Sequence, residues 1–405
     1  MQNERSSCIM LSNEAKMIVK STAPVLEEHG VAITTRFYKR LFEEHPELLN
    51  IFNHANQAQG RQQTALAKTV YAAAVHIDDL EEIMPAVIQI AHKHVSLGVK
   101  PEHYPIVGAN LLIAMKEVLG DAATNEIIQA WSDAYGVIAD AFISVEKSMY
   151  QNTAEQENGW NYFKDFVVDR KVNESEIITS FYLKPADGSN VPTYIPGQYI
   201  SVRVSIPGEE YMMIRQYSLS QASKPDEFRI SVKREADNDP NGIVSIFLHK
   251  QIKEGDRLEV SAPAGVFVLD AAKTTPVAFI SGGVGITPMM SMFETVATST
   301  PERPAVFLHG ARNRYQHAFD EDIRQFAERM ENASYKTVYS DEENGFITRE
   351  MLEEFVDPSG DAYVCGPVPF MVSMIRELRN IGMQDEQIHY EFFGPAMDLE
   401  ESTIQ

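Results

Sequence analysis

The stretch MIRQYSLSQ, residues 213–221, alternates apolar and polar residues and therefore predicts a β-strand. It presents Arg215, Gln216, Tyr217 and Ser218 in succession. An arginine can bind a diphosphate through paired hydrogen bonds, and a tyrosine can lie against an aromatic ring. The four residues therefore favour a site for an aromatic cofactor that carries phosphates. An exposed strand end of ordinary composition is the alternative.

The regions around this strand show two different sequence patterns. Six short strand-like runs, separated by turns rich in Gly, Pro and Asp, occupy residues 160–271 and predict a small antiparallel β-barrel. Residues 272–405 alternate strands with helical segments, a pattern typical of a doubly wound parallel sheet. We therefore expect an α/β domain to follow the barrel.

Residues 10–147 differ from both of these regions. Long segments with a 3.6-residue apolar periodicity dominate, and β-alternation is absent, so this region is predicted to be all-α. Residues 148–159, which end in the polar run QNTAEQENG, are predicted to be a linker. The chain is therefore expected to be multidomain, with an all-α domain, then an antiparallel β-barrel, then a doubly wound α/β domain.

Composition and charge exclude several classes of partner. The 405 residues carry a formal net charge of −23, which argues against nucleic acid or an anionic membrane. The sequence contains no run of 18 apolar residues that would predict a membrane span, and its N-terminus lacks the apolar core of a signal peptide. Cys8 and Cys365 lie far apart in the sequence and suggest no disulfide framework. We therefore expect a cytoplasmic protein with no nucleic-acid partner and no obligatory membrane partner. A monomer is a separate prediction.

The segment SGGVGITP, residues 281–288, follows a predicted strand and begins a helix. Its glycines allow close approach of a diphosphate, and a helix N-terminus attracts negative charge. Thr287 is a candidate N-cap and Pro288 a candidate first helical residue. The segment favours a site for a cofactor that carries a diphosphate, with an ordinary tight turn as the alternative. The predicted contacts are Gly283, Val284, Gly285, Ile286, Thr287 and Pro288.

Several weaker candidates lie in the barrel region, and each has an ordinary structural alternative. A turn of small residues with Gly242 and Ser245 either holds a flavin diphosphate or simply begins a helix. Val232 and Lys233 end a strand, where a solvated basic strand end is the alternative. Tyr199 follows a Pro-Gly turn and is either a cofactor contact or a half-buried structural tyrosine.

Two further candidate segments lie in the α/β region. Cys365, Gly366 and Pro367 end a predicted strand at the carboxyl edge of the sheet, where ligands bind. Cys365 is expected to be a small buried residue rather than a nucleophile, because no base is evident beside it. Near the C-terminus, an aromatic-Gly-Pro segment is able to cover a ring. This segment comprises Phe392, Phe393, Gly394 and Pro395.

Taken in this order, the RQYS, GGVGITP, CGP and aromatic-Gly-Pro motifs resemble the ferredoxin-NADP reductase superfamily over about residues 160–405. The resemblance implies FAD on the barrel, at Tyr199 and residues 215–218, with residues 392–395 over the ring. It implies that NAD(P)H binds residues 283–288 and 365–367. Arg312 and Arg314 follow the second strand of this domain and either bind the 2′-phosphate of NADPH or are solvated. Both nicotinamide cofactors are therefore compatible with the sequence.

Candidate haem ligands in the helical region lie in AHKHVSLGVKPEHY, residues 91–104. His92 and His94 are two positions apart on a predicted helix, so they point in nearly opposite directions and at most one faces a shared pocket. A haem iron needs an axial ligand, although a helical histidine is more often a surface residue. Because C-x-x-C-H is absent, covalent haem is not indicated.

Residues 10–147 resemble a globin, and in particular the globin of the flavohaemoglobin family. The segments that carry the resemblance are IFNHANQ, KHVSLGVKPEHYPIVGANLL and AWSDAYGVIADAFI. It implies haem b, with His94 as the proximal ligand and Phe52 packed on the haem. It also implies that Tyr38, Gln62 and Leu66 line the distal pocket. Phe52 and Leu66 as ordinary core residues, and Gln62 as a solvated residue, are the alternatives.

The same resemblance assigns three more residues to the proximal side. Tyr104 and Glu146 are implied to hydrogen-bond with His94, and Lys93 is implied to affect redox balance. A carboxylate that holds the imidazole increases its donation of electron density to iron. Without the resemblance, Tyr104 is equally a structural hydroxyl.

The flavohaemoglobin resemblance spans nearly the whole chain and implies an NAD(P)H-dependent nitric oxide dioxygenase. In this activity haem-bound O₂ converts NO to nitrate, and NAD(P)H re-reduces the haem iron through FAD, which detoxifies NO. The implied small-molecule substrates are O₂, NO and NAD(P)H. The alternatives are an O₂- or NO-sensing haemoprotein whose flavin module keeps the iron ferrous, and a general flavin or ferric reductase.

Overall fold

A computed structural model describes residues 11–52, 57, 60–236, 241–342 and 345–393. The predicted contacts Gly394 and Pro395 therefore lie outside the described residues, as does Cys8. The chain divides into two compact units. One comprises residues 1–152 and 210–213, and the other comprises residues 153–209 and 214–405.

The first unit is helical, as predicted. Its helices are α1 (Asn13–Ser21), α2 (Ala23–Glu44), α3 (Arg61–Val75), α4 (Met84–Leu97), α5 (His103–Leu119) and α6 (Asn125–Glu155). Short 3₁₀ turns span Pro46–Asn50, Leu80–Ile83 and Gly120–Ala122. The core of this unit contains Ile33, Phe37, Leu41 and Trp131, each at most 3% exposed.

One predicted boundary in this unit was wrong. The linker was predicted at residues 148–159, but α6 continues as a helix to Glu155. The polar composition of this stretch indicated a linker, whereas Gln, Ala and Glu are also good helix formers. The end of α6 is mostly exposed, so it does not need an apolar face. Within the predicted linker, only residues 156–159 are non-helical.

The second unit begins with the predicted antiparallel barrel. Its strands are β1 (Phe163–Asn173), β2 (Ile178–Pro185), β3 (Tyr199–Val204), β4 (Met213–Ser218), β5 (Phe228–Lys233) and β6 (Arg257–Ser261), with helix α7 (Ile243–Lys250). The strand order is β4-β3-β6-β1-β2-β5. A bridge between Leu219 and Ile230, and a 2.8 Å hydrogen bond from Ser220 N–H to Arg229 O, join the two edges. The sheet is therefore closed into a barrel.

The rest of the second unit is the predicted parallel sheet. Its strands are β7 (Val277–Gly282), β8 (Ala305–Ala311), β9 (Ala333–Tyr339), β10 (Asp361–Cys365) and β11 (Ile388–Glu391), in the order β11-β10-β7-β8-β9. Helices α8 (Ile286–Ser299), α9 (Asp320–Arg329), α10 (Arg349–Phe355) and α11 (Val368–Asn380) connect them. The strand order reverses between β7 and β10, which is where ligands bind in such sheets. Among the described residues, no helix is long and apolar enough to span a membrane.

Candidate functional site

The corner between α4 and α5 brings His94 and Tyr104 together. Helix α4 ends at Gly98, whose φ of +78° is a conformation that glycine adopts without strain. The reversal that follows places Tyr104 in the first turn of α5, with its hydroxyl 3.1 Å from His94 Nδ1. The two candidates are therefore neighbours even though they lie on different helices.

Glu146, from α6, completes this proximal group. Its Oε1 lies 2.7 Å from His94 Nδ1 and accepts a 2.5 Å hydrogen bond from the Tyr104 hydroxyl. Glu146 is 2% exposed, so its carboxylate has little access to water. Because a carboxylate only accepts hydrogen bonds, Nδ1 donates the hydrogen in this contact. Nε2 is therefore the ring nitrogen that is left to bind a metal.

The environment keeps Tyr104 in its protonated form. Burial raises the pKa of Tyr104, and its hydrogen bond to the Glu146 carboxylate raises that pKa further. Phe142 lies against both rings of the pair, with centroid distances of 5.7 Å to His94 and 6.3 Å to Tyr104. Phe142 was not among the residues predicted from the sequence. Its position on α6, one helical turn before Glu146, was the available signal.

The predicted distal residues also meet within the helical unit. Tyr38 on α2 is 5% exposed, and its ring makes an edge contact with Phe52 at 5.9 Å. Burial raises the pKa of Tyr38, and a hydrogen bond with Gln62 lowers it in part. Leu66 lies one turn after Gln62 on α3 and packs against the same core. Tyr38, Phe52, Gln62 and Leu66 therefore form one group.

Gln62 has an unmatched polar atom in this group. Its Oε1 is buried and has no hydrogen-bond partner in the described part of the chain. A buried amide oxygen without a partner is uncommon, and contact with a ligand or a water is one explanation for it. This feature supports the prediction that Gln62 lines a pocket, because the amide oxygen of a solvated glutamine would not be buried. Lys93 precedes His94 on α4 and is half-buried.

Arg215 on β4 is a half-buried cation, and no carboxylate in the described part of the chain pairs with it. Its Nη1 donates to the Ile214 carbonyl at 2.7 Å, and none of the described carboxylates forms an ion pair with it. Burial lowers the pKa of the guanidinium, so this charge is incompletely solvated. An anion beside Arg215 would stabilise the guanidinium charge that burial disfavours. Tyr217 and Gln216 on the same strand are half-buried, and Ser218 is buried.

The weaker flavin candidates Val232, Lys233 and Ser245 hydrogen-bond or pair with other residues of the chain. Lys233 forms a 2.9 Å ion pair with Glu235, and the Val232 carbonyl lies 2.7 Å from His249 Nε2. The Ser245 hydroxyl donates to the Gly242 carbonyl at 3.0 Å at the start of α7. These contacts shape a turn at Gly242, but they leave Val232 and Lys233 with internal partners. Tyr199 begins β3 and is half-buried.

The dinucleotide turn lies where the parallel sheet reverses its order. Gly283–Gly285 forms a 3₁₀ turn before α8, and Gly283 has a φ of +54°. A Cβ atom on Gly285 would lie 2.2 Å from the Cys365 carbonyl oxygen, so only glycine allows this approach. The predicted segments at 283–288 and 365–367 are therefore adjacent at the ends of β7 and β10.

Two details of this turn were predicted wrongly. Gly285, not Thr287, occupies the N-cap of α8, and Thr287 is the second residue of the helix. Its hydroxyl donates to the Val284 carbonyl at 3.0 Å. Pro288 is accordingly the third helical residue rather than the first. The physical reason is the 3₁₀ turn, which starts helical geometry before the threonine.

Cys365 is a small buried residue, as expected. It is fully buried, and its thiol donates to the Glu391 carbonyl at 3.6 Å. Burial raises the pKa of the thiol, which disfavours the nucleophilic thiolate. Gly366 is half-buried and Pro367 is exposed. Phe392 packs against the core of the parallel sheet, whereas Phe393 is 47% exposed.

Family models match the chain in three successive segments. The globin model matches residues 35–142, the oxidoreductase FAD-binding domain matches residues 165–269, and the oxidoreductase NAD-binding domain matches residues 279–377. These segments lie in the helical unit, the barrel and the parallel sheet, respectively.

Similar proteins extend over nearly the whole chain. A flavohemoprotein of Halalkalibacterium halodurans is 52% identical, covering 98% of this chain and 100% of its own length. Flavohemoprotein A of Dictyostelium discoideum is 49% identical, covering 96% and 100%. The flavohemoglobin of Malassezia yamatoensis with bound FAD and heme has a TM-score of 0.84 at 27% identity, covering 95% and 100%. The FAD/NAD-binding domain of a Vibrio cholerae nitric oxide dioxygenase has a TM-score of 0.54 at 40% identity, covering 57% and 99%.

Proposed function

The chain belongs to the flavohaemoglobin family, and from this premise we propose that it is an NAD(P)H-dependent nitric oxide dioxygenase that uses haem b and FAD. When bound, the haem supplies a site where O₂ reacts with NO to give nitrate, and the FAD converts the electron pair of NAD(P)H into single electrons for the iron. The role of this reaction is the removal of NO. The remaining steps of the proposal concern the residues of the chain itself.

On the proximal side, the donor set suits a haem. His94 would hold the iron through Nε2, because Nδ1 is committed to Glu146 at 2.7 Å. A carboxylate that accepts the Nδ1 hydrogen fixes the ring orientation and raises the basicity of the imidazole. Tyr104 donates to the same oxygen and holds the carboxylate in place. This His94–Glu146–Tyr104 group is the observation that carries the proposal, because a plain O₂ carrier does not need such a strong donor.

On the distal side, Tyr38 and Gln62 would face bound O₂. The raised pKa of Tyr38 keeps its hydroxyl protonated, so the hydroxyl is able to donate a hydrogen bond to an oxygen that gains negative charge. The buried Oε1 of Gln62, which no described residue hydrogen-bonds, gives the pocket a further polar atom. Phe52 and Leu66 exclude water from these groups.

In the second unit, Arg215 would bind the FAD diphosphate, and Tyr217, Ser218, Gln216 and Tyr199 would contact the rest of FAD. Arg215 supports this role because it is a half-buried cation without a carboxylate partner among the described residues. The turn at residues 283–288 and the adjacent residues 365–367 would bind NAD(P)H. Gly283 supports this role, because it is exposed, has a φ of +54° and has no atom within 4 Å of its Cβ position, which leaves room for a diphosphate at the start of α8.

The family acts on small molecules, which are NAD(P)H, O₂ and NO in this proposal. We also propose that the protein is a cytoplasmic monomer, and that its domains are residues 10–147, 160–271 and 272–405. The net charge of −23 supports the absence of nucleic acid or anionic membrane partners. Sedimentation at several protein concentrations tests the monomer, since a concentration-dependent mass would contradict it.

The proposal is tested by following NO with an electrode in the presence of NADH and O₂. The wild-type protein should remove NO catalytically and form nitrate stoichiometrically, whereas Tyr38→Phe should do so more slowly. An NO-binding sensor would instead bind about one equivalent and stop. The haem assignment is tested separately, because His94→Ala should lose the normal Soret band. A normal Soret band in that variant would refute His94 as the ligand.

A further inference from the structure

Helix α8 contacts the segment that directly follows the flavin strand β4. The Ser291 hydroxyl donates to the Gln221 carbonyl at 2.7 Å, and the Ala222 N–H donates to Glu294 Oε2 at 2.9 Å. Ser291 is fully buried and Gln221 is 1% exposed. Helix α8 is also the helix that begins at the dinucleotide turn. One rigid element therefore connects the predicted nicotinamide site to residues 221 and 222.

The same segment is held from the other side by the barrel. The Tyr194 hydroxyl donates to the Gln221 carbonyl at 2.6 Å, and the Leu219 N–H donates to the Gln198 carbonyl at 2.9 Å. The Gln221 carbonyl thus accepts one hydrogen bond from the barrel and one from α8. Because these bonds are buried, water cannot replace them at low cost.

A third contact joins α8 to the turn that precedes Tyr199. Gly197 has a φ of +103°, and a Cβ atom there would lie 2.4 Å from Met292 Cε and 2.1 Å from the Phe267 carbonyl oxygen. The backbone at Gly197 therefore lies directly against α8. Both segments assigned to the flavin, at Tyr199 and on β4, are consequently anchored to this helix.

We propose that Ser291 and Glu294 are positioning residues that set the alignment of the nicotinamide with the flavin. The proposal rests on the binding of FAD and NAD(P)H, but it does not depend on the reaction with NO. In the step concerned, a hydride carries two electrons and a proton from NAD(P)H to FAD, giving NAD(P)⁺ and FADH⁻. Neither side chain takes part in this transfer. Each side chain fixes the position of α8 relative to the segment that follows Ser218.

The expected effect is on the rate of transfer rather than on binding. Transfer rates depend steeply on geometry, and a displacement of about 1 Å costs up to about 100-fold. Ser291→Ala leaves the Gln221 carbonyl with its bond from Tyr194, so the variant is expected to fold. We expect a loss of about tenfold in the limiting rate of FAD reduction for Ser291→Ala and for Glu294→Ala. The dissociation constant for NADH should change less than about twofold, because the dinucleotide turn is intact.

The test uses the FAD-loaded full-length protein, mixed anaerobically with NADH in a stopped-flow instrument without NO. Glu294→Gln keeps an oxygen that accepts from Ala222 and should restore the limiting rate. Thr295→Val is a matched control on the same helix, because the Thr295 hydroxyl donates to the Ser291 carbonyl within α8. It should reduce FAD at the wild-type rate. Hydrogen exchange of the Ala222 amide should be faster in Glu294→Ala than in Glu294→Gln.

The outcomes separate this inference from the proposed function. An unchanged limiting rate in both alanine variants, together with faster exchange at Ala222, would overturn the positioning role. Loss of FAD or of the folded state would make the residues merely structural and would overturn it too. A protein that reduces FAD with NADH but does not consume NO would contradict the proposed function and leave this inference standing.

Discussion

Replacement of Glu146 by glutamine removes one charge from the proximal group and changes little else. The carboxylate accepts hydrogen bonds from His94 Nδ1 at 2.7 Å and from Tyr104 at 2.5 Å. A hydrogen bond to a charged group contributes about 1.5–3 kcal/mol, and a neutral one about 0.5–1.5 kcal/mol. The substitution should therefore weaken each bond by roughly 1 kcal/mol and lower the free energy of unfolding by roughly 2 kcal/mol.

Only the bond to His94 acts on the haem iron. A less basic imidazole stabilises the ferric form less, so the reduction potential of the haem should rise in Glu146→Gln. A change of roughly 1 kcal/mol corresponds to about 40 mV for a one-electron couple. The assay is a spectroelectrochemical titration that follows the Soret band, with denaturant unfolding measured in parallel.

Tyr104→Phe is the matched control for this prediction. It removes the hydrogen bond between Tyr104 and Glu146 but keeps the carboxylate beside His94. Its unfolding free energy should fall, while its haem potential should move less than that of Glu146→Gln. A Glu146→Gln protein with an unchanged potential would refute the reasoning, because the carboxylate would then have no influence on the iron.

Three further predictions concern the second unit. Burial lowers the pKa of His317 to about 4, so below pH 6.5 the unfolded state binds a proton more readily than the folded state. The free energy of unfolding should therefore fall by up to about 1.4 kcal/mol per pH unit as the pH drops from 6.5 towards 4. Asp341 pairs with Arg312 at 3.7 Å, and Glu342 pairs with Arg314 at 3.2 Å. Removal of these two carboxylates should free the arginines for the 2′-phosphate and improve kcat/KM for NADPH by about fivefold. Gly285→Ala should abolish tight NADH binding but retain FAD, because its Cβ would lie 2.2 Å from the Cys365 carbonyl oxygen.

Each of these predictions has a control. Urea unfolding of His317→Asn between pH 7 and 4 should show a shallower loss of stability than wild type, and an equal slope would contradict the first prediction. Steady-state kinetics with NADH should change little when the two carboxylates are removed. Gly310→Ala should bind NADH normally, since its nearest atom would be 3.8 Å from the new Cβ; equal NADH affinity in Gly285→Ala would contradict the third prediction.

Local patterns in the sequence were sufficient to predict the architecture. Period-two alternation located β4, and the change to alternating strands and helices located the parallel sheet. The turn at residues 283–288 was recognisable because glycines follow a strand and precede a helix. Local patterns failed where two interpretations share one composition, as at residues 148–155, where polar residues continue α6.

Long-range contacts were beyond such patterns. Glu146 is 52 residues from His94, and only the family resemblance associated the two before their 2.7 Å contact was seen. Ser291 and Glu294 gave no signal, because a serine and a glutamate in an apolar helix are unremarkable until their partners at residues 221 and 222 are known. The pairing of side chains from distant segments depends on tertiary structure, which periodicity does not encode.

The most direct test of the account is the stoichiometry of NO removal by the haem- and FAD-loaded protein in air-saturated buffer with limiting NADH. The hydride of NADH supplies two electrons, and each NO that is converted to nitrate with O₂ consumes one. The account predicts sustained consumption of about two NO per NADH, with one nitrate per NO. Binding of NO without turnover, or oxidation of NADH that does not depend on NO and yields no nitrate, would contradict it.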